Sequence, residues 1–327
     1  MEIEGILNIN KEQDMTSHDV VGRVRRILSM KRVGHTGTLD PMATGVLPVC
    51  VGKATRIVEY LDLDTKRYLC TMVLGREMDT QDIWGTEVAR ADETKVNAIT
   101  EGDVKAAFAG FHGMIEQTPP MYSAVKIDGK RLYEYARAGK EVEVKSRQVY
   151  IPDLTIEEMS LGRGFDSSVT FSVECTKGTY IRSICHEAGK NMGVNGAMSA
   201  LVRTGSGIFD IEHSVTLGEL KEMSEDEIRS IVSPTPAPLM HFGEVLTNET
   251  GAITLLNGLP LYVADCEVTR EPEYAAKDFY FPIRDEYRRA YLVFARINNE
   301  DKTFIGIAFK DEAGESLVPE KIFYSRG

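Results

Sequence analysis

The spacing of apolar positions predicts a mixture of strands and helices. Apolar runs or alternation at period two predict strands over 5–9, 45–51, 68–74, 169–175, 290–297 and 304–309. Apolar residues three and four apart predict helices over 17–28, 54–61, 100–108 and 179–191. Thr16 caps the first helix, and Thr100 with Asp103 forms a capping box for the third. Residues 34–38 contain two glycines and predict a loop.

The order of these elements predicts an α+β protein of two parts. Residues 233–238 carry three prolines, which stop helix and sheet alike, and predict a linker. Strand patterns and the Asn257–Gly258 turn signal dominate beyond it. We therefore expect a catalytic-sized domain over 1–235 and a small β-rich domain over 245–327.

Composition indicates a soluble protein. Of the 327 residues 43% are apolar, enough for a sizeable core, yet no run is long enough to span a membrane. The first residues lack the pattern of a secretory signal, so we expect a cytoplasmic location. The five cysteines form no Cys-x-x-Cys pair and are expected to be reduced, mostly buried thiols.

The net charge of −12 argues against a nucleic-acid partner, but its distribution softens that argument. Residues 1–70 balance at +1, whereas the rest of the chain balances at −13. One basic group lies within 23–32 and a second within 126–147. These basic residues either form local patches that bind the backbone phosphates of a nucleic acid or are ordinary charged residues on a solvent-exposed surface.

Four polar residues stand out in segments otherwise built for packing, namely Asp40, Tyr68, Arg182 and His35. Asp40 precedes a proline in partly apolar surroundings, so an ionised Asp40 needs a cation, for which Arg182 is the candidate. Spacing alone allows a purely structural salt bridge instead. Tyr68 is either a core tyrosine or a reactive one, and His35 is a loop residue, a phosphate contact or an acid–base group.

Motifs of other enzyme classes are missing. The Gly34-x-x-Gly37 pair lacks the lysine and spacing of a phosphate-binding loop. The histidines show no metal-binding i, i+4 pair, and no Gly-x-Ser-x-Gly elbow occurs. These absences argue against a nucleotide-driven, redox or zinc enzyme.

Residues 34–47, Gly-His-Thr-Gly-Thr-Leu-Asp-Pro-Met-Ala-Thr-Gly-Val-Leu, resemble the signature of the TruB family of tRNA pseudouridine synthases. Further matches follow in family order: Lys-Arg-Tyr at 66–68, the RNA-gripping segments at 119–126 and 129–137, Lys-Gly-Thr-Tyr-Ile-Arg at 177–182 and Leu-Val-Arg at 201–203. The C-terminal part resembles the PUA-like tail domain of bacterial members.

The resemblance implies a pseudouridine synthase fold, with a central mixed and mainly antiparallel sheet flanked by helices. It implies isomerisation of the T-loop uridine of tRNA, uridine 55, with no cofactor and no metal. Asp40 would be the nucleophile or a base, acting at either the sugar C1′ or the uracil ring, and Arg182 would keep it ionised. Tyr68 would stack on the base, with or without a part in proton transfer at the sugar, and Leu201 would pack on the uracil ring.

The remaining implications concern RNA binding. A T-loop uridine must be flipped out to be reached, and the loop of His35 would enter the space it leaves. An insertion over about 120–150 would grip the RNA, and the C-terminal domain would contact the acceptor stem. The expected substrate contacts are His35, Leu201, Lys11, Lys126, Lys130, Arg131 and Tyr180. No protein partner or membrane is expected, and the enzyme would be a monomer.

One departure from the family pattern and two rival readings remain. The early loop reads Lys11-Glu-Gln-Asp-Met, where the family has Lys-Pro-x-Gly, so its geometry is open. A guide-RNA-dependent, dyskerin-like relative shares the Asp loop but lacks the insertion that includes residues 130–139. A non-catalytic RNA-binding or RNA-chaperone protein would keep its function after Asp40→Asn.

Overall fold

The computed structural model describes residues 3–61, 65–140, 142–275, 284–297 and 300–325. The strands of the first part of the chain are β1 (Gly5–Lys11), β2 (Val33–His35), β3 (Thr44–Val51), β4 (Lys66–Leu74), β5 (Arg76–Met78), β6 (Glu87–Arg90), β7 (Gly113–Gln117), β8 (Lys126–Ile127), β9 (Lys130–Arg131), β10 (Arg147–Ile151), β11 (Asp153–Ser160), β12 (Ser168–Cys175), β13 (Gly196–Ser206), β14 (Phe209–Asp210) and β15 (Val215–Thr216). Its α-helices are α1 (Ser17–Leu28), α2 (Glu93–Asn97), α3 (Glu101–Phe108), α4 (Leu132–Arg137), α5 (Ile181–Asn191), α6 (Leu217–Glu222) and α7 (Glu225–Ile231).

Nine of the described strands form the central sheet, whose path runs β11-β12-β4-β13-β3-β1-β15, with β2 on β3 and β14 on β13. The β13–β3 and β1–β15 pairs are parallel and the other pairs are antiparallel. Alternation explains why β12 lies in the sheet, since Val169, Phe171, Val173 and Cys175 are all buried. The α+β fold with a mixed, mainly antiparallel sheet is confirmed.

Helices α1, α3 and α5 cover one face of this sheet and enclose the larger core. Thr16 and Thr100 cap α1 and α3 through complete capping boxes, as predicted. The apolar stripe of α1 is buried, whereas Arg23, Arg25 and Arg26 face solvent. Helix α5 begins two residues later than predicted, and the Gln117 side chain fixes the residue before it by accepting from the N–H of Tyr180 and donating to its carbonyl.

A second sheet follows, built from β16 (Gly243–Asn248), β17 (Leu261–Tyr262), β18 (Glu267–Arg270), β19 (Ala290–Ile297), β20 (Glu300–Lys310) and β21 (Ser316–Ile322). Its order is β17-β21-β20-β19-β16-β18, and helix α8 (Glu249–Leu256) packs on β16 and β19. This confirms a β-rich C-terminal part.

The two parts of the chain share a core on the other face of the central sheet. Cys50, Ile57 and Tyr60 from the first part pack in one cluster with Phe242, Tyr287 and other residues of the second. Lys53 and Arg56 add hydrogen bonds to the carbonyls of Phe323 and Ile322, both at 2.6 Å. The C-terminal part is therefore firmly attached to the back of the sheet.

Three local predictions need correction. Residues 33–35 form a strand against β3, so the predicted loop over 34–38 starts later. Residues 52–60 form a 3₁₀-helix rather than an α-helix, in a segment with β-branched Thr55, Ile57 and Val58. The proline-rich linker is anchored, since Ser233 exchanges two backbone hydrogen bonds of 2.9 Å with Ile6.

Within the described ranges, no helix combines the length and the apolar character needed to cross a membrane.

Candidate active site

The centre of the candidate site is Asp40, in the loop over residues 36–43, called here the Asp40 loop. The loop joins β2 to β3, and its Asp40 carbonyl accepts a hydrogen bond from Ala43 N at 3.1 Å, which closes a tight turn through Pro41. The Asp40 side chain remains 43% exposed. The carboxylate is thus presented to solvent by a rigid turn.

Arg182 lies directly behind Asp40. Its Nε is 3.2 Å from Asp40 Oδ2, and its side chain is only 7% exposed. The same guanidinium donates to the carbonyls of Thr80 and Tyr122, both at 3.0 Å. The structure therefore brings together the acid and the cation that the sequence pointed to, with the arginine held in one orientation by its other contacts.

A second acid, Asp82, shares this arginine and was not among the sequence candidates. Its Oδ2 lies 3.4 Å from Arg182 Nη1. Burial raises the pKa of Asp82, whereas the hydroxyl of Thr80, which donates to it at 2.7 Å, and Arg182 oppose the shift. The buried guanidinium of Arg182 therefore contacts two carboxylates, those of Asp40 and Asp82. The only signal in the sequence was another acid before a glycine turn, Asp82-Ile-Trp-Gly85, which has many structural explanations.

Tyr68 faces Arg203 across neighbouring strands, β4 and β13, where the two residues are paired. Burial raises the pKa of the Tyr68 phenol, and the guanidinium of Arg203 opposes this shift. The phenol therefore keeps its proton at neutral pH. Tyr68 also packs against the main core, which holds its ring in place.

Arg203 is 1% exposed and clamps the base of the Asp40 loop. Its Nε donates to the carbonyl of Val46 at 2.6 Å, and its two terminal nitrogens donate to Thr38 and Gly37, both at 3.4 Å. In the sequence, Arg203 only ends the Leu-Val-Arg motif at 201–203. Its burial was not predicted, because arginine side chains are almost never fully buried unless they are paired.

Lys11 is not placed to contact a substrate, so its expected role needs correction. It is fully buried, and its ammonium donates to the carbonyls of Glu12, Met15 and Pro41 at 2.9, 2.6 and 3.0 Å. Burial lowers its pKa to about 8, opposed by the carboxylate of Asp40. Lys11 instead ties its own loop to the turn of Asp40, whereas Glu12 and Asp14 point to solvent.

The other expected substrate contacts fall into two groups. His35 ends β2, and its ring meets the edge of His18 at 5.3 Å. Burial lowers the pKa of His35, which is therefore neutral at pH 7. Leu201 is buried in the main core, on the strand that also carries Arg203.

The second group lies on the inserted segment and at the start of α5. Lys126, Lys130 and Arg131 are exposed on the β8–β9 hairpin, called here the basic hairpin. Tyr180 caps α5 two residues before Arg182, and the guanidinium of Arg147 lies 5.0 Å from its ring. The carbonyl of Tyr122 accepts a hydrogen bond from Arg182. Tyr122 precedes the basic hairpin, which begins at Lys126.

This arrangement offers an exposed carboxylate, a buried arginine 3.2 Å from it, and a protonated phenol on a strand of the same sheet. A mixed sheet that presents an aspartate from a Gly-His-Thr-Gly loop fits the class of protein that the sequence resembles, the TruB-type pseudouridine synthases. Two family models match the chain, the N-terminal domain of the TruB family pseudouridylate synthases over residues 25–181 and the C-terminal domain of tRNA pseudouridylate synthase B over 182–240. The chain belongs to the TruB family and is an enzyme of the isomerase class.

Curated relatives agree with this membership. The chain is 41% identical over 303 residues to a protein of Geobacillus thermodenitrificans, covering 89% of this chain and 100% of the relative. It is 49% identical over 219 residues to a protein of Symbiobacterium thermophilum, covering 67% and 72% of the two chains. A protein of Bacillus pumilus is 44% identical over 265 residues, covering 80% and 85%. All three are named tRNA pseudouridine synthase B.

Solved structures agree with the fold. A chain in the crystal structure of a Cbf5–Nop10–Gar1 complex superposes with a TM-score of 0.69 at 25% identity, covering 98% of this chain and 85% of that one. A chain in an archaeal box H/ACA sRNP Nop10–Cbf5 complex gives a TM-score of 0.68 at 24% identity, covering 98% and 86%. These structures extend the similarity through the C-terminal sheet.

Proposed function

We propose that the protein converts the T-loop uridine of tRNA, uridine 55, into pseudouridine without a guide RNA or a cofactor. The observation that carries the proposal is the ion pair between half-exposed Asp40 and buried Arg182, at 3.2 Å. The names of the curated relatives supply tRNA as the substrate.

The reaction breaks the N1–C1′ bond of uridine, turns the uracil, and joins C5 to C1′. The proton on C5 leaves to solvent and N1 gains one, so no atoms are gained overall and no redox partner is needed. Asp40 would act as the nucleophile, and Arg182 would keep it ionised and directed at the substrate. The turn through Pro41 leaves this carboxylate accessible for such an attack.

Tyr68 and Leu201 would hold the uracil. The phenol of Tyr68 is protonated at neutral pH, so the ring can stack on the base and its hydroxyl can donate a hydrogen bond or a proton. Leu201 would pack on the ring and help to exclude water from the detached base. Because a stacked uridine is out of reach, the base would be flipped out, with neutral His35 and its loop filling the gap.

The RNA would be held at two places. Lys126, Lys130 and Arg131 on the basic hairpin would bind backbone phosphates near the T loop, with Tyr180 nearby. The C-terminal, PUA-like domain over 245–327 would contact the acceptor stem, and residues 1–235 would form the catalytic domain. We propose a monomer that works in the cytoplasm without an obligatory protein partner.

Tritium release is the test. A tRNA transcript carrying uridine tritiated at C5 should lose tritium to water when the purified protein alone is added, with no guide RNA and no added metal. Asp40→Asn should bind the transcript and release no tritium, which separates catalysis from RNA binding. Absence of release with the wild-type protein would overturn the stand-alone proposal.

A guide-RNA-dependent activity is the second candidate, because the chains of the Cbf5 complexes have the same fold. The inserted β8–β9 hairpin and α4, with their exposed cations, favour direct RNA binding over a guide. The same assay discriminates the two candidates. Release that appears only after a guide RNA is added would favour the second.

A further inference from the structure

The only tryptophan of the chain, Trp84, is exposed close to the active site. Its side chain and that of the preceding residue, Ile83, are 38% and 39% exposed. Neither belongs to any of the three apolar clusters formed by the described residues. Since an aromatic side chain is most stable when buried, folding alone does not account for an exposed Ile–Trp pair.

The loop that carries this pair is rigid. It spans residues 79–86 between β5 and β6 and is called here the Trp84 loop. Ile83 N donates to the Met198 carbonyl at 2.9 Å, and Met198 N donates to the Gln81 carbonyl at 3.0 Å, which fixes the loop to β13. A Cβ on Gly85 would overlap the side chains of Thr80 and Asp79, so a larger residue after Trp84 would displace them. The exposed ring is therefore held by an ordered backbone.

The same loop supplies the second acid of the active site. Asp82 Oδ1 accepts a hydrogen bond from Trp84 N at 3.2 Å, and its Oδ2 lies 3.4 Å from Arg182. Arg182 in turn contacts Asp40 at 3.2 Å. A chain of three polar contacts thus links the backbone of Trp84 to the catalytic carboxylate.

The charges around the pair favour a base over a phosphate. Asp79 and Asp82 repel phosphate from the Trp84 loop. The phenol of Tyr122 donates to Asp79 at 3.3 Å and joins this loop to the segment that leads into the basic hairpin. An RNA strand whose phosphates follow the basic hairpin would have its bases free to turn toward the Ile83–Trp84 pair.

We propose that Ile83 and Trp84 form a stacking platform for an unpaired RNA base next to the flipped uridine. Base–aromatic stacking tolerates any base, because every base has a flat π-face. The partner is single-stranded RNA, and a paired duplex would not fit, since its bases are already stacked. This inference rests on the proposed function, because it places a second contact on the same substrate.

Fluorescence tests the platform directly, because Trp84 is the only tryptophan. In an Asp40→Asn background, which prevents turnover, a T-arm stem–loop RNA should quench the Trp84 emission. A fully paired RNA duplex of the same length should not. Trp84→Ala should weaken binding of the stem–loop by about five- to a hundredfold. Trp84→Phe, which keeps an aromatic face, should stay within about threefold of the parent protein.

Met240→Ala is the matched control, since Met240 is an apolar residue that is 53% exposed in the segment that joins the two parts of the chain. It should leave affinity for the stem–loop unchanged. Urea unfolding of each variant checks that the substitution has not destabilised the fold. If Trp84→Ala does not fold, the comparison with Trp84→Phe still tests the platform.

The outcomes separate this inference from the proposed function. Unchanged emission, together with equal affinities of Trp84→Ala and the parent protein, would overturn the platform. Ile83 and Trp84 would then be assigned to a surface that binds a protein. Tritium release by the wild-type enzyme would stand in that case. A wild-type protein that releases no tritium would overturn the proposed function, whatever Trp84 does.

Discussion

The buried ammonium of Lys11 donates a hydrogen bond to the carbonyl of Pro41, at 3.0 Å, one residue after Asp40. Lys11 ends the first strand of the sheet, so this bond ties the sheet to the turn of the catalytic candidate. Arg203 holds the flanks of the same loop through Gly37, Thr38 and Val46. The orientation of Asp40 thus depends on two buried cations that a substrate need never touch.

Lys11→Met should lower turnover with little change in RNA affinity. The substitution leaves three buried or partly buried carbonyls without their donor, at a cost of about 1–3 kcal/mol for each that stays buried and unpaired. Urea unfolding and single-turnover tritium release measure the two effects. Gln13→Met is the control, since Gln13 is exposed on the same loop. Equal turnover in both variants would contradict a positioning role for Lys11.

The stability of the wild-type protein should rise with pH relative to Lys11→Met in the alkaline range. Lys11 has a pKa of about 8 in the folded protein and an ordinary value of 10.5. Between these values the unfolded chain holds a proton that the folded protein has released. Relative to Lys11→Met, the free energy of unfolding of the wild type therefore increases with pH across this window. Urea midpoints at pH 7.5 and 9.5 check this, and a constant difference between the two proteins would refute it.

Arg182→Ala should reduce single-turnover tritium release by at least about a hundredfold, since preorganised charge contributes this much in other enzymes. Removing Arg182 also leaves the largely buried Asp82 without its cation, which should destabilise the fold by up to about 3–5 kcal/mol. Arg182→Lys keeps the charge but loses the planar fork that reaches Asp40 and Asp82 together, so an intermediate rate is expected. A near-normal rate for Arg182→Ala would remove this residue from the mechanism.

The basic hairpin should determine much of the salt dependence of tRNA binding. Replacing Lys126, Lys130 and Arg131 with Gln should reduce the slope of log affinity against log salt by about 2, as each phosphate contact contributes somewhat less than one. The control variant replaces three exposed lysines on helices α2, α3 and α6 with Gln, namely Lys95, Lys105 and Lys221. Both triple variants have the same net charge. Equal slopes would mean that the basic hairpin is only a solvated surface.

Local patterns predicted much of this molecule. Alternation identified β12 residue by residue, and the Thr16 and Thr100 caps marked the starts of α1 and α3. The pairing of Asp40 with Arg182 followed from a chemical need, since a carboxylate in partly apolar surroundings requires a cation. These features depend on short-range periodicity or on charge balance, which a sequence carries directly.

The contacts that escaped prediction are long-range and involve loops. Asp82 reaches Arg182 across 100 residues, and Arg203 reaches Val46 across 157. Lys11 was expected at the substrate because its lysine matched a family motif, but its burial depends on how the early loop folds over the turn of Pro41. No repeat or period signals such contacts, because they arise only when the sheet brings the loops together.

The core shared by the two parts of the chain limits how this enzyme can move. Tyr60 packs in one cluster with Phe242 and Tyr287, so a hinge between the two sheets would have to expose aromatic rings to water. This packing therefore sets the spacing between the Asp40 loop and the outer surface of the C-terminal sheet. An RNA that touches both must match that length, and the protein would select substrates by their dimensions as well as by their bases.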